Sequence, residues 1–206
     1  MVKKGQVRIG TLHEYRNADR YNEQIADAQE GRAVRFLQAE RLTEIDLLAG
    51  TDAAAAFARG VITGWDSLPE GSSVKVVLEP ASALEHRFDF PDQYMYCATE
   101  RADFGSMKSL GYDTCVEISD AEAFFSLITS HLPSFTGRYC AKPVTYAERR
   151  VSFVDRHADH PAFIKPASYE HQREFRMMWE PATRPISPFV ISVPGLGRYC
   201  RVVAEH

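Results

Sequence analysis

The chain contains no apolar run near the ~20 residues that a membrane-spanning helix needs, so nothing in it indicates a helical membrane protein. Its basic N-terminus is not followed by the apolar stretch of a secretory signal peptide. Strand-like residues begin by Gln6, and we expect a few residues to be missing before Met1. These features predict a cytoplasmic protein with no membrane partner.

An excess of positive charge is also absent. The formal net charge is −4 and the isoelectric point is about 6.0, so no overall basic field indicates a nucleic-acid binder. The overall charge does not exclude a local basic cleft. The four cysteines form no Cys-x-x-Cys pair. We therefore expect buried, reduced thiols and no metal site.

Three common catalytic motifs are missing. The sequence has no Gly-x-Ser-x-Gly, no Gly-Lys-Ser/Thr phosphate loop and no Gly-x-Gly-x-x-Gly. Their absence argues against a hydrolase nucleophile elbow, a P-loop nucleotidase and a Rossmann dehydrogenase.

The patterns that are present predict one strand-rich α+β domain over residues 1–206, with mixed or antiparallel sheets and a few helices. The clearest helix is Asp120–Leu132, and Leu42–Arg59 is typical of one or two short helices broken at Gly50. Arg87–Cys97 alternates like a strand despite Pro91. The other predicted strands are Gln6–Leu12, Arg32–Leu37, Val74–Leu78, Asp113–Ile118, Cys140–Ala147, Phe175–Glu180, Phe189–Val193 and Arg198–Val203.

The most informative stretch is Phe163–Trp179, which ends in a predicted strand. Residues two apart in a strand share a face, so Gln172, Glu174 and Arg176 are expected to point one way, and Phe175 the other way into a core. A carboxylate between an amide and a guanidinium suits a cation-stabilising or acid–base site. The structural alternative is a salt-bridged edge strand, with Arg173 or Arg176 as the partner of Glu174.

Two further clusters could bind a ligand. Arginine binds phosphate through its planar fork, so Arg8, Arg16, Arg20 and Arg35 could hold a diphosphate; the alternative is a solvated surface. The strand that ends at Thr99 could offer a hydroxyl and the ring of Tyr96 to a ligand. The alternative for Tyr96 is a place in the core.

The order of these motifs resembles a known superfamily. Arg8–Arg16 is followed by Asp27-Ala-Gln-Glu-Gly31, by Tyr94-Met-Tyr-Cys-Ala-Thr99 and by Tyr169-Glu-His-Gln-Arg-Glu-Phe-Arg176. This layout resembles a group of uncharacterised bacterial and phage-associated proteins, and through them the ADP-ribosyltransferase superfamily.

The resemblance implies NAD as co-substrate and a role for each matching residue. Glu174 would contact the nicotinamide ribose and stabilise an oxocarbenium-like transition state, and Gln172 would orient the acceptor. Arg8 would hold the diphosphate, a role that Arg35 or His13 could also take. Thr99 or Tyr96 would lie against the nicotinamide ribose.

We therefore predict an NAD-dependent mono-ADP-ribosyltransferase, of the toxin or phage-defence kind, that modifies a protein or nucleic acid and could have an antitoxin partner. One alternative is a non-catalytic protein-interaction module of a phage or defence system. The other is a metal-dependent nuclease or hydrolase that uses Asp27, Glu30 and Glu174, which requires these carboxylates to converge.

Overall fold

The computed structural model describes residues 5–21, 25–63, 72–101, 105, 108, 111, 114–153, 155 and 160–205. The predicted strand-rich α+β class is confirmed. The two described α-helices are α1 (Ala53–Val61) and α2 (Ala121–His131). The strands are β1 (Gln6–Thr11), β2 (Arg32–Gln38), β3 (Thr43–Asp46), β4 (Lys75–Leu78), β5 (Ala83–Asp89), β6 (Tyr94–Thr99), β7 (Thr114–Ile118), β8 (Phe135–Pro143), β9 (Thr145–Tyr146), β10 (Arg150–Ser152), β11 (Ile164–Lys165), β12 (Glu174–Pro181), β13 (Phe189–Ser192) and β14 (Cys200–Glu205).

The chain divides into two compact units. The first consists of Met1–Gly31, Phe90–Ala147 and Ala162–His206, and the second of Arg32–Asp89 and Glu148–Pro161. The expectation of one domain stays a prediction, because compactness alone does not show whether the units fold together.

The first unit is organised by a five-stranded antiparallel sheet in the order β13-β1-β6-β12-β8. One face of the sheet carries helix α2, which begins after Asp120; the Asp120 carboxylate accepts a hydrogen bond from the Ala123 N–H at 3.0 Å. The core under this helix consists mainly of buried apolar side chains from α2, β1 and β12, among them Ile9, Phe124, Ile128, Met177 and Trp179.

The opposite face of this sheet has a smaller apolar cluster of Leu12, Met95, Ala162, Phe163 and Met178. Polar groups from several segments lie on the same face, because Glu174 and Arg176 alternate with the core residues of β12. This face therefore carries the candidate site.

The second unit contains a three-stranded sheet, in the order β10-β2-β5, and the two-stranded ribbon of β3 and β4. Helix α1 begins after Asp52, whose carboxylate accepts a hydrogen bond from the Ala55 N–H at 2.7 Å. A separate core joins the ribbon and α1 through Ile45, Leu47 and Ala58.

Two predicted elements were wrong. Leu42–Arg59 is not helical throughout, because Thr43–Asp46 pairs with β4 and buries Ile45; a turn then leads to α1. Arg87–Cys97 is not one strand but the end of β5 and the start of β6, with Pro91 in the irregular connection. Proline has no N–H to donate to a sheet, which explains the interruption.

All four cysteines are free; Cys97, Cys115 and Cys200 are half-buried and Cys140 is exposed on β8, so the expectation of fully buried thiols is wrong. No helix in the described part of the chain is long and apolar enough to cross a membrane. The polar composition of His157–Pro161 predicts a loop, and most of this segment lies outside the described residues.

Candidate active site

Strand β12 brings the predicted acidic and basic side chains to one face of the sheet. Glu174 and Arg176 lie together on the face opposite α2, whereas Phe175 and Met177 belong to the core under α2, as the alternation predicts. The edge-strand alternative is wrong in one respect, because β12 is an interior strand between β6 and β8.

Gln172 does not lie on this strand. It ends a 3-10 helix over Ala167–Gln172, and the next residue, Arg173, has a left-handed backbone with φ of 41°. The predicted shared strand face of Gln172 and Glu174 is therefore wrong, because the strand begins only at Glu174. The side chain of Gln172 reaches Glu174 indirectly, through Lys165.

Arg176 is the centre of the polar cluster, and its side chain is fully buried. Its Nε donates to Glu174 Oε1 at 2.8 Å, and its two terminal nitrogens donate to Glu30 Oε1 and Oε2 at 2.8 and 2.9 Å. The guanidinium also donates to the carbonyl of Ala162. Its five N–H donors suit this arrangement of two carboxylates and a carbonyl.

Lys165 supplies the second cation. Its Nζ lies 2.8 Å from Glu174 Oε2 and 2.7 Å from Gln172 Oε1, and it is 5.2 Å from the centre of the Tyr169 ring. Lys165 is only 4% exposed. We call Glu30, Lys165, Glu174 and Arg176 the buried quartet; its two positive and two negative charges cancel.

The quartet sets the ionisation of Glu174. Burial by itself would raise the pKa of this carboxyl, but the charges of Arg176 and Lys165 outweigh burial and hold the pKa well below its ordinary value. Burial likewise opposes the charge on Arg176, but Glu174 and Glu30 raise its pKa above the ordinary value. Glu174 is therefore a carboxylate whose negative charge is already compensated.

Thr99 is the predicted ligand-binding residue closest to Glu174 in the sheet. The two residues are direct partners in the antiparallel pairing of β6 and β12. The Thr99 hydroxyl donates to the backbone carbonyl of Gln172 at 2.9 Å, and Thr99 is exposed. Thr99, Gln172 and Glu174 thus converge at one end of the β6–β12 pair, with Thr99 at the solvent side.

Tyr96 does not join this group. It lies on the α2 face, where its ring centre is 5.7 Å from that of Phe124 and 6.1 Å from that of Phe125. Burial raises the pKa of its phenol. The core alternative for Tyr96 is therefore the one that the packing supports, because alternation along β6 turns it away from Glu174.

Arg8 lies on the same sheet face as Glu174, but two strands away, which is roughly 10 Å between backbones at the usual strand spacing. Its guanidinium forms two hydrogen bonds of 2.8 Å with the two carboxylate oxygens of Glu14, and Glu14 also accepts from the Tyr21 hydroxyl at 2.6 Å. A diphosphate at Arg8 would have to compete with Glu14.

The other predicted arginines have different surroundings. Arg16 donates to the backbone carbonyl of Glu30 at 2.7 Å, and so supports the loop that carries a quartet residue. Arg35 belongs to the second unit, where it donates to the backbone carbonyl of Asp155 at 3.0 Å. The candidate site therefore consists of residues of the first unit.

The arrangement of the acidic residues weakens the metal hypothesis. Glu30 and Glu174 both bind Arg176, so a guanidinium occupies the space between them. Asp27 is buried, and its carboxylate accepts from the Gln29 N–H at 3.0 Å. Within the described residues, no group of three or more His, Cys, Asp or Glu side chains is arranged to hold a metal ion.

Sequence reasoning missed the roles of Lys165 and Glu30 in the quartet. Lys165 lies in the two-residue strand β11, which gives no periodic signal, and Glu30 lies in a polar loop. Both residues belong to motifs that the sequence analysis identified. Nothing in those motifs indicated which side chains would be their partners. Tyr146 was also missed: its hydroxyl accepts the N–H of Glu174 at 2.7 Å.

Comparison of the chain with protein-family models, curated proteins and solved structures found no match. The resemblance to ADP-ribosyltransferases therefore depends on the short sequence motifs alone.

Proposed function

We propose that this protein is an NAD-dependent mono-ADP-ribosyltransferase whose site lies at the Thr99 end of the β6–β12 pair. The observation that supports the proposal is the convergence of Thr99, Gln172 and Glu174 there. These residues come from two distant parts of the sequence; the resemblance assigns Glu174 and Thr99 to the nicotinamide ribose and Gln172 to the acceptor that attacks it.

In the proposed reaction, the bond between the nicotinamide nitrogen and the ribose C1′ breaks, and nicotinamide leaves with the electron pair. Positive charge develops on the ribose, and the carboxylate of Glu174 stabilises it. A nucleophilic atom of the acceptor, oriented by Gln172, forms the new bond to C1′ and releases its proton. The low pKa of Glu174 suits this role, because the carboxylate is ionised before substrate binds.

The compensated charge of Glu174 imposes a further requirement. A cation on the ribose gains little from a carboxylate that is already paired, so the Lys165–Glu174 ion pair must open during the reaction, while Arg176 keeps its bond to Glu174 Oε1. The amide oxygen of Gln172 is already 2.7 Å from Lys165 and can accept it. Replacing Lys165 by methionine should therefore preserve or increase NAD cleavage in the folded fraction, although it destabilises the fold.

A second candidate is the non-catalytic protein-interaction module. The charge balance of the buried quartet favours it, because Glu30, Lys165, Glu174 and Arg176 satisfy one another and need no ligand. In that case the quartet holds the Asp27–Gly31 loop and strand β11 against β12, and the binding surface lies elsewhere.

The deciding experiment measures thermal stabilisation by NAD and release of nicotinamide, with a protein and a nucleic-acid mixture as acceptors. Thr99→Ala should reduce both, whereas Thr136→Ala, a matched change at another exposed threonine of the same sheet, should reduce neither. Absence of stabilisation and of nicotinamide release in the wild type would refute the transferase and leave the interaction module.

A further inference from the structure

Tyr146 lies beside Glu174 on the side opposite Thr99, which is the partner of Glu174 on β6. On the β8 side, the Glu174 carbonyl accepts from the Val144 N–H at 2.8 Å, and the Glu174 N–H donates to the Tyr146 hydroxyl at 2.7 Å. Two residues that face each other in this way on antiparallel strands normally exchange both backbone bonds. The Tyr146 hydroxyl therefore replaces the Val144 carbonyl as the acceptor.

The pairing of β9 with β11 sets the direction of the Tyr146 side chain. Tyr146 and Lys165 are direct partners in this parallel pair, so their side chains lie on the same face of the two-stranded ribbon. From that face, the Lys165 ammonium reaches Glu174 Oε2 at 2.8 Å. Both side chains of the ribbon thus converge on Glu174.

The Tyr146 hydroxyl retains a proton that it can donate. A hydroxyl can donate one hydrogen bond and accept two, and this one accepts from the Glu174 N–H. Among the residues that the structure describes, none accepts the Tyr146 proton. Burial raises the pKa of the phenol, which keeps it protonated at neutral pH. The side chain is half-buried, so it lies at the border between the buried quartet and solvent.

The hydroxyl of Thr99, on the other side of Glu174, is used differently. It already donates to the carbonyl of Gln172 at 2.9 Å. A hydroxyl has only one proton, so in this arrangement Thr99 can accept from a ligand but cannot donate to it. Tyr146 supplies the hydrogen-bond donor that Thr99 lacks.

We infer that Tyr146 is a substrate-binding residue of the proposed transferase and that its hydroxyl donates to a hydroxyl of the nicotinamide ribose. The inference rests on the proposed function, which assigns this ribose to Glu174. A ribose hydroxyl is both a donor and an acceptor, so it can donate to Glu174 Oε2 and accept from Tyr146 at the same time. Glu174 Oε2 becomes available to the ribose when the Lys165–Glu174 ion pair opens.

The first test measures NAD binding by isothermal titration calorimetry. Tyr146→Phe keeps the ring and removes the hydroxyl, and the loss of one neutral hydrogen bond should weaken NAD binding by roughly three- to tenfold. The matched control is Tyr94→Phe, which removes the hydroxyl of another half-buried tyrosine, on the α2 face of the five-stranded sheet. This control should bind NAD like the wild type. Circular dichroism verifies that each variant is folded.

NAD analogues that lack one hydroxyl of the nicotinamide ribose test the contact itself. The wild type should bind either the 2′-deoxy or the 3′-deoxy analogue several-fold more weakly than NAD. Tyr146→Phe should bind that same analogue at least as tightly as the wild type does, because the missing hydroxyl is the one that Tyr146 contacts. A merely structural role of Tyr146 would instead weaken the binding of NAD and of both analogues equally.

The outcomes separate this inference from the proposed function. A wild type that does not bind NAD refutes the transferase and the role of Tyr146 with it. If the wild type binds NAD, unchanged NAD binding by Tyr146→Phe, or an equal loss for NAD and both analogues, overturns the inference and leaves the transferase in place. If Tyr146→Phe does not fold, the wild type decides: weaker binding of one analogue supports the contact, and binding of both analogues as tightly as NAD overturns it.

Discussion

Removing Arg176 should be among the most destabilising single changes in this protein. The side chain is fully buried and binds two carboxylates. Arg176→Met therefore leaves Glu30 and Glu174 without their shared cation in a site that water does not reach. Breaking a buried ion pair by removing one partner typically costs about 3–5 kcal/mol. That is a large part of the roughly 5–15 kcal/mol by which a domain is stable.

The assay is urea unfolding followed by circular dichroism. With a slope of about 2 kcal/mol per molar urea, the midpoint should fall by roughly 1.5–2.5 M. The matched control is Arg201→Met, which also removes an arginine paired with a glutamate across two strands; its side chain is 73% exposed, and its nitrogen lies 2.5 Å from Glu117 Oε2. Exposed pairs contribute about 0–1 kcal/mol, so this midpoint should barely move.

A double variant tests whether an unpaired carboxylate causes the loss of stability in Arg176→Met. Adding Glu30→Leu to Arg176→Met removes one charge of each sign and leaves Lys165 paired with Glu174. Because an uncompensated buried carboxylate is the main cost of the single change, the double variant should recover about 2 kcal/mol. A cost for Arg176→Met no larger than that of Arg201→Met, or a double variant less stable than Arg176→Met alone, would refute this account of the quartet.

Two further predictions concern titration and thiol reactivity. Because the folded pKa of Glu174 is depressed below its ordinary value of 4.5, its contribution to stability is complete above that pH and is lost as the pH falls. The difference in urea midpoint between the wild type and Glu174→Gln should therefore shrink between about pH 7 and pH 3; a constant difference would contradict the pairing. Burial raises the pKa of the Cys97 thiol, whereas Cys140 is exposed, so a thiol reagent should label Cys140 first. Cys140→Ser should remove the fast phase, and persistence of that phase would show that another thiol is more reactive.

The elements with a strong local period were predictable. Asp120–Leu132 combines a capping aspartate with apolar residues at helical spacing, and helix α2 forms there. The alternation of Glu174, Phe175, Arg176 and Met177 predicted which side chains of β12 enter the core. In both patterns the spacing of apolar residues indicates which face of the element is buried, and this spacing can be read from a single sequence.

Local patterns failed where a partner distant in sequence decides the structure. Thr43–Asp46 is a strand because β4 pairs with it, and its short apolar pattern also fits a helix. Gln172 leaves the strand because a 3-10 helix and the left-handed Arg173 precede β12. No local sequence pattern indicates either the pairing of Thr43–Asp46 with β4 or the 3-10 helix that precedes β12.

The sequence by itself therefore determined the strand-rich α+β class, helix α2 and the face of β12 on which Glu174 lies. Only the tertiary structure decided that Glu30 and Lys165, 144 and 9 residues before Glu174 in the printed sequence, compensate Arg176 and Glu174. It also turned Tyr96 into the core and paired Arg8 with Glu14. The physical reason is that a side chain's charge and hydrogen-bonding capacity are fixed by residue type, whereas its partner and its exposure to water depend on how distant segments pack.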